Sequence, residues 1–492
     1  MMFHLYLTFS DGAKYADIAR SIVQGNEFSS SFNFWGANNA QVIQPGMPLA
    51  IAGFFKIFGI SDLSVIATSS FFYLLLVLTT YLLGKKLWGQ LVGLLGAISV
   101  AFNVNFLEYA TSGASETLFA CEIILGAYLF IMRRKWANIL GFLVLVLVYF
   151  TRAQAIIYIF GLLFLFFLLN FPIKKALSYF IATFVAGSAL YFFISKQGIF
   201  AVTQHLPGQA TSDALRGAVQ ETNIIAIFKK VFYNLYNFYK LLPQITSPYM
   251  WALFIIGLFM WSKNKIENYL KISTIFMVVA TFLVAALTIP LFRYLHPVVP
   301  LVYLFAVATL VWIVEGLGFR ILGLGINKNK ARILVSSLLV FVFVVGQTLG
   351  VIFLDSRHKA KIVNKGKPPV YVTLSRTLRE NTSPEDVIVT NLDTWGSWYG
   401  ERKTVWFPLK PDQLDIEAEK NPFDAIFLTS YLIDDENYFM GPEWRQAFEN
   451  PKDIEDKFIV SNFEFKKEFM ILSDETYERE PARAVLLVRK NR

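Results

Sequence analysis

Long apolar runs separated by short polar turns fill most of the chain between residues 49 and 354. A helix needs about 20 apolar residues to cross a bilayer, and several of these runs reach or approach that length. They cover residues 49–60, 63–83, 91–107, 117–132, 139–150, 155–171, 176–194, 251–261, 272–289, 298–314 and 333–354. The pattern predicts a mainly α fold, a transmembrane helical bundle of about 10 or 11 spans.

Basic residues recur at every second end of these runs, and they set the expected orientation. They are Lys85 and Lys86, Arg133 to Lys135, Lys174 and Lys175, Lys263 and Lys265, and the segment 320–332. Because Lys and Arg concentrate in cytoplasmic loops, residues 10–48 and 195–247 become two large extracytoplasmic loops. Ahead of the first loop stands the apolar segment MMFHLYLTF, too short to span. We expect a truncated first span there, or a re-entrant stub.

The composition changes near Pro368 to that of a soluble domain. The segments VIVTN, TVWF, DAIFLTS, FMILS and AVLLVRK read as short buried strands, with LSRTLREN and EWRQAFE as helices between them. We therefore divide the chain into a membrane domain, residues 1–367, and a small extracytoplasmic α/β domain, residues 368–492. The second domain has no Gly-rich phosphate loop and no metal-spaced His/Cys set, so the sequence assigns it no chemistry.

Charge supports this division and excludes one class of partner. Before residue 370 the chain has 29 Lys and Arg and 12 Asp and Glu, which gives a net charge of +17. From residue 370 on it has 16 Lys and Arg and 24 Asp and Glu, which gives −8, and the two parts sum to the overall +9. With 55% hydrophobic residues in 492, the chain is a polytopic membrane protein. The basic excess belongs to cytoplasmic loops, so it does not indicate nucleic-acid binding.

The first loop, residues 10–48, carries the most distinctive pattern. Ala13, Ile18, Ala19 and Ile22 share one face of a short helix that ends before Gly25. Such a helix is expected to lie flat on the membrane surface. The Ser/Asn/Gly-rich segment that follows contains several aromatic residues, which suits a loop folding over a polar ligand at the interface.

Ionisable groups near membrane depth are candidates for function. Asp11 opens the loop and Glu116 begins a span, although Asp11 could simply cap its helix and Glu116 could simply favour a helix N-terminus. Glu122 lies six residues further on, on a different face, where a hydrogen-bonded structural role is expected.

Cations are predicted on the same side. Arg152 and Arg293 could grip phosphate oxygens while a carboxylate takes a proton, or could only reach toward lipid headgroups. His205, in the second loop, could bind a metal or simply be solvated.

Five segments together resemble the C-type (GT-C) membrane glycosyltransferases, and among them the protein O-mannosyltransferases and aminoarabinose transferases. They are DGAKYADIARSIVQG, QPGMPLAIAGFFKIFGISDLS, YATSGASETLFACEIILGAYLF, LVYFTRAQA and FRYLHPVVPLVYLFA, spread over residues 1 to 315. The resemblance implies an enzyme of the plasma membrane. Such an enzyme moves a sugar from a polyprenyl-phosphate carrier to a protein, lipid or glycan acceptor on the extracytoplasmic side.

The resemblance also implies roles for particular residues. Asp11 and Glu116 match the two catalytic acids, and Arg152, Arg293 and Tyr294 match positions facing the carrier phosphate. Further candidates are Glu108, His205, His296 and Tyr15. Two departures concern the acceptor and a divalent metal ion, which both stay open: Gly12 stands where a second acid often follows the first, and Gln44 where a charged residue often precedes the loop proline.

Two other functions stay open. The chain could be a flippase of lipid-linked sugars without catalytic activity, or a structural subunit whose C-terminal domain recruits partners. The absence of visible paired halves favours the enzyme over a transporter. An enzyme also requires the Asp11 loop and the Glu116 turn to lie within a few ångströms of one another around a cavity open to both lipid and water, which a scaffold does not.

Overall fold

A computed structural model describes most of the chain. The described residues are 6–34, 37–38, 40, 43–196, 224–287, 291–316, 328–354, 366–418, 422–433, 440–476, 478 and 480–490. Residues 197–223 of the second loop, which include His205, and residues 1–5 of the expected first span lie outside them.

Helices form the body of the described chain. In order they are α1 (Ser10–Val23), α2 (Gly46–Phe58), α3 (Asp62–Trp88), α4 (Gln90–Ala101), α5 (Val104–Ala110), α6 (Glu116–Ile131), α7 (Lys135–Thr151), α8 (Ala155–Asn170), α9 (Ile173–Lys196), α10 (Ile224–Ile245), α11 (Pro248–Phe259), α12 (Lys265–Leu287), α13 (Val299–Gly316), α14 (Lys328–Val340) and α15 (Gln347–Leu354). Two 3₁₀ turns, Phe292–Tyr294 and His296–Val298, lead into α13, and a π-helical segment, Phe341–Gly346, joins α14 to α15.

The bundle has the apolar length of a membrane protein. Within the described residues four helices are long and apolar enough to cross a bilayer, or up to six if two sharply bent pairs each count as one span, and three shorter apolar helices accompany them. The segment 292–316 is the centre of the bundle, since 83% of its apolar window is buried, against 22 to 44% for the other three. The helical bundle is confirmed, and the number of spans stays a prediction.

The C-terminal region forms a sheet with its own helices. Its elements are α16 (Val370–Asn381), β3 (Val387–Thr390), α17 (Trp395–Trp398), β4 (Lys403–Trp406), α18 (Gln413–Ala418), β5 (Ala425–Thr429), α19 (Pro442–Glu449), α20 (Lys457–Asn462), β6 (Phe463–Ile471) and β7 (Ala482–Arg489). The five predicted strands and both predicted helices are present. The small α/β domain is therefore confirmed.

The first loop adds two strands to this sheet, which the sequence did not predict. They are β1 (Phe32–Phe34) and β2 (Ala37–Asn38), and the sheet order is β2-β1-β4-β3-β5-β7-β6. Strand β1 runs parallel to β4, with Phe32 opposite Thr404, and the Phe32 side chain is fully buried in the core of the C-terminal domain. The first loop is thus part of the C-terminal sheet as well as of the membrane domain.

A second seam joins the C-terminal domain to the start of α3. The Asp62 carboxylate accepts hydrogen bonds from Trp398 Nε1 at 2.7 Å and from the Tyr399 hydroxyl at 2.8 Å. Trp398 also stacks on Phe55 of α2, and Arg20 of α1 donates to backbone carbonyls of α17. These contacts fix α1 between the bundle and the sheet.

Candidate active site

Helix α1 approaches the turn before α6 more closely than most side chains would allow. A Cβ at Gly12 would lie 2.1 Å from the Ser112 carbonyl oxygen, and the facing Gly113 has φ +76. Glycine is therefore needed on both sides of the contact. This explains the departure noted in the sequence: a second acid at position 12 has no room. Asp11 is thereby brought close to the start of α6.

Glu116 is the most buried charge of the site. It is the first residue of α6 and only 1% exposed, and the Arg152 guanidinium lies 2.6 Å from its Oε1. Arg152 directly follows the end of α7 and also donates to the Ser115 hydroxyl at 2.9 Å. The Tyr15 hydroxyl shares a hydrogen bond with the same Ser115 oxygen at 3.1 Å. Two helices and a turn therefore converge on one ion pair.

Arg293 connects the two acids. From the 3₁₀ turn before α13, its Nη1 lies 2.6 Å from Asp11 Oδ2 and 3.9 Å from Glu116 Oε1. We call Asp11, Glu116, Arg152 and Arg293 the charged cluster. Asp11 does not cap α1, whose N-cap residue is Phe9 without a side-chain cap. The capping interpretation of Asp11 is therefore wrong.

The cluster changes the acidity of Asp11. Burial alone would raise the pKa of Asp11, but the Arg293 guanidinium, assisted by Lys14 and Arg152, outweighs this effect and holds the pKa well below its usual range. Asp11 is thus an ionised carboxylate. Burial raises the pKa of the Tyr15 phenol above its usual value, and the charge of Asp11 adds to this effect, so Tyr15 is a neutral hydroxyl beside the cluster.

The remaining predicted residues fall in different places. His296 is fully buried, with Nδ1 2.7 Å from the Tyr109 hydroxyl, and its Nε2 has no hydrogen-bond partner among the described residues. Tyr294 adjoins Arg293 in sequence, and its backbone carbonyl accepts from the Tyr158 hydroxyl at 2.5 Å. Glu108 is half-buried on α5, in the segment before the turn that leads to Glu116.

Glu122 takes the structural role expected of it. It lies below the cluster on α6 and shares a 3.0 Å hydrogen bond with the Thr151 hydroxyl, next to Arg152 in sequence.

Sequence reasoning missed two charged residues at the edge of the cluster. Lys14 Nζ lies 3.7 Å from Asp11 Oδ1 and 3.8 Å from Asp393 Oδ1, so it stands between the first loop and the C-terminal domain. The next residue, Thr394, donates to the Ser10 carbonyl at 3.1 Å. The sequence assigned the C-terminal domain no chemistry, yet this domain places a buried acid beside the cluster. The i, i+3 spacing of Asp11 and Lys14 on one helix could have predicted their contact, whereas no pattern in the sequence indicates that Asp393 lies nearby.

The described residues hold no group of three or more His, Cys, Asp or Glu that could bind a metal ion. In the charged cluster each carboxylate faces an arginine instead.

A cavity of about 1000 Å³ lies far from the cluster. Trp88, at the distal end of α3, and Lys263, Lys271, Glu315 and Arg332 are among its lining residues. A 27-residue helix separates this end from Asp62, which corresponds to about 40 Å. None of the cluster residues lines the cavity.

Comparison with known proteins gives a match in structure and none in sequence. No family model and no curated protein matches the chain. Among solved structures, ArnT from Cupriavidus metallidurans bound to undecaprenyl phosphate is similar with a TM-score of 0.52 and 12% identity, over 99% of this chain and 94% of that one. The chain has the GT-C fold.

A second GT-C neighbour agrees. The archaeal oligosaccharyltransferase AglB from Archaeoglobus fulgidus, in complex with an inhibitory peptide and a dolichol-phosphate, matches with a TM-score of 0.52 and 13% identity, over 87% of this chain and 66% of that one. The same enzyme was also solved with zinc and sulfate, with a TM-score of 0.52 and 11% identity over 96% of this chain and 69% of that one. At such identities the likeness concerns the fold alone. The expected GT-C architecture, with its C-terminal domain, is confirmed.

Proposed function

We propose that this GT-C protein is a multi-pass membrane glycosyltransferase. It takes a sugar from a polyprenyl-phosphate carrier and transfers it to an acceptor that is a protein, lipid or glycan. The cluster and the C-terminal domain face the extracytoplasmic side of the plasma membrane, because the basic loops predicted from the sequence lie at the other ends of the spans.

One observation carries this proposal: Arg293 bridges Asp11 and Glu116 at the end of the bundle. The Arg293–Asp11 pair joins residues 282 positions apart in sequence, so the fold itself assembles it. Two arginines beside two carboxylates suit a reaction between an anionic donor and a hydroxyl or amide acceptor. The undecaprenyl and dolichol phosphates bound to the two neighbours support a lipid phosphate as the donor.

The proposed reaction is a single displacement with inversion at the anomeric carbon. An acceptor heteroatom forms a bond to that carbon while the bond from the carbon to the phosphate oxygen breaks. The acceptor proton passes to the Asp11 carboxylate, and the polyprenyl phosphate leaves with the electron pair. Because phosphate is a good leaving group, positioning and charge stabilisation supply most of the catalysis.

The other residues of the cluster have supporting roles in this scheme. Arg293, the most exposed of the four charges at 30%, is accessible to the carrier phosphate. Arg152 is held by Glu116 and Ser115 and adds a second positive charge behind it. Glu116 keeps Arg152 in place. The neighbour solved with zinc and sulfate supports a divalent ion near these acids as a further part of the site.

The alternative is a flippase of lipid-linked sugars without catalytic activity. It needs a basic path for the phosphate but no carboxylate at a reacting centre. A carboxylate, Asp11, lies 2.6 Å from Arg293. This supports the enzyme, because a flippase has no reacting centre at which such a carboxylate would act.

Asp11→Asn tests the proposal. It should abolish sugar transfer from a radiolabelled polyprenyl-phosphate donor and leave expression and membrane insertion intact. Glu27→Gln, which neutralises an exposed acid of the same loop, is the matched control and should retain transfer. Full activity of Asp11→Asn would refute the role of Asp11 as base.

A further inference from the structure

Arg293 and Asp11 form an ion pair through the atoms that each would use in the reaction, the guanidinium N–H of Arg293 and a carboxylate oxygen of Asp11. The 2.6 Å contact joins Arg293 Nη1 to Asp11 Oδ2, whereas Glu116 already has Arg152 at the same distance on its own side. Arg293 Nε makes no hydrogen bond within the described part of the chain. The guanidinium is therefore anchored mainly by Asp11.

This pairing conflicts with the reaction as proposed. A phosphate that docks on Arg293 competes with Asp11 for the same N–H donors, since both are anions that prefer the planar guanidinium fork. Arg293 in turn keeps the pKa of Asp11 low, and a carboxylate of low pKa is a weak base. As long as Arg293 and Asp11 are paired, Arg293 is not free to bind the carrier phosphate and Asp11 is not free to bind the acceptor.

We propose that the Arg293–Asp11 ion pair is the resting state of the site, and that the carrier phosphate opens it by displacing Asp11 from Arg293. The released Asp11 then binds and activates the acceptor. The lipid-linked donor must therefore bind first. This inference rests on the proposed function, because it takes the ligand of Arg293 to be the carrier phosphate.

The surroundings of Asp11 fit such an exchange. Its other oxygen, Oδ1, lies 3.7 Å from Lys14 Nζ, and Lys14 is itself near Asp393 at 3.8 Å. A released Asp11 would thus keep a nearby cation and would not be left as an uncompensated buried charge. The backbone of α1 is fixed by the Gly12 contact, so the exchange needs only side-chain rotation.

The decisive experiment measures carrier binding without any reaction. Binding of undecaprenyl phosphate to the purified full chain is titrated in nanodiscs for the unmodified protein, Asp11→Asn and Glu27→Gln. Asp11→Asn removes the carboxylate that competes with the phosphate for Arg293. This variant should therefore bind undecaprenyl phosphate about tenfold more tightly than the unmodified protein, the effect of one charge-assisted hydrogen bond, although it transfers no sugar. Glu27→Gln should bind like the unmodified protein, which excludes a general effect of net charge.

A double variant tests whether the effect passes through Arg293. In Asp11→Asn combined with Arg293→Gln, the tighter binding should disappear. Equal or weaker binding by Asp11→Asn alone, or tighter binding that persists without Arg293, would overturn the exchange and leave the glycosyltransferase proposal standing. If the unmodified protein did not bind undecaprenyl phosphate at all, the proposed function itself would fail.

Discussion

Gly12→Ala should damage catalysis by moving Asp11 away from the rest of the cluster. The new Cβ would lie 2.1 Å from the Ser112 carbonyl oxygen, whereas Cβ atoms in proteins essentially never approach a neighbour within 3.0 Å. The contact is between backbones, so no flexible side chain can move aside. Helix α1 must therefore shift by about 1 Å relative to the turn before α6, which is typical of overpacked sites.

The magnitude follows from the geometry of the cluster. Asp11 and Glu116 meet through Arg293 at 2.6 and 3.9 Å, so a shift of that size breaks the arrangement. Misplacement of a reacting group by about 1 Å costs about 100-fold in rate, which corresponds to about 2.7 kcal/mol. We expect kcat for sugar transfer to fall by about this factor.

The assay compares kcat of purified Gly12→Ala with that of Gly53→Ala. A Cβ at Gly53, on α2, would meet no atom within 4 Å, so this control should keep full activity and a stability equal to or slightly above the unmodified protein. Melting temperatures of both variants show whether the fold is retained. A Gly12→Ala enzyme with undiminished kcat would refute the view that this contact positions Asp11.

Three further predictions follow from contacts outside the helical core. Asp393→Asn should lower kcat by up to about tenfold, because Lys14 loses one of its two acids, and steady-state kinetics would detect this; an unchanged kcat would exclude the C-terminal domain from the site. Asp62→Ala leaves the buried Trp398 donor and the half-buried Tyr399 donor without their acceptor, so it should lower stability by about 2–4 kcal/mol and increase cleavage in limited proteolysis; an unchanged melting temperature would contradict that. The Arg293 pair lowers the pKa of Asp11 on folding, so its stabilisation is fully present above about pH 4 and is lost as the pH falls further. The destabilisation caused by Asp11→Asn should therefore shrink in acid, and an effect independent of pH would argue against the pair.

The local pattern of apolar and polar residues was sufficient to predict the helices and strands and several residues of the charged cluster. The spacing of Ala13, Ile18 and Ala19 predicted α1, and Gly25, with φ +84, follows its end as expected. The strands of the C-terminal domain were legible because each is a short apolar run between turn residues. Asp11 and Arg293 were candidates because charges next to apolar spans are costly.

Contacts between residues far apart in the sequence could not be predicted. Strand β1 has three residues, and its partner β4 lies some 370 positions later, so no local signal specifies their contact. Asp393 reaches Lys14 from a turn in which its own φ is +54. Aspartate tolerates this backbone conformation, but the residues around Asp393 in the sequence do not predict it. Asp62 was not a candidate from the sequence, although it accepts hydrogen bonds from Trp398 and Tyr399 of the C-terminal domain.

Sugar transfer itself is the most direct test of the account. The purified protein is incubated with a panel of polyprenyl-phosphate sugars carrying radiolabel in the sugar, with Asp11→Asn alongside. We predict that one donor gives transfer or slow hydrolysis with release of polyprenyl phosphate, and that the variant gives neither. No turnover with any donor, together with movement of the labelled lipid across liposome membranes, would contradict the account and favour the flippase.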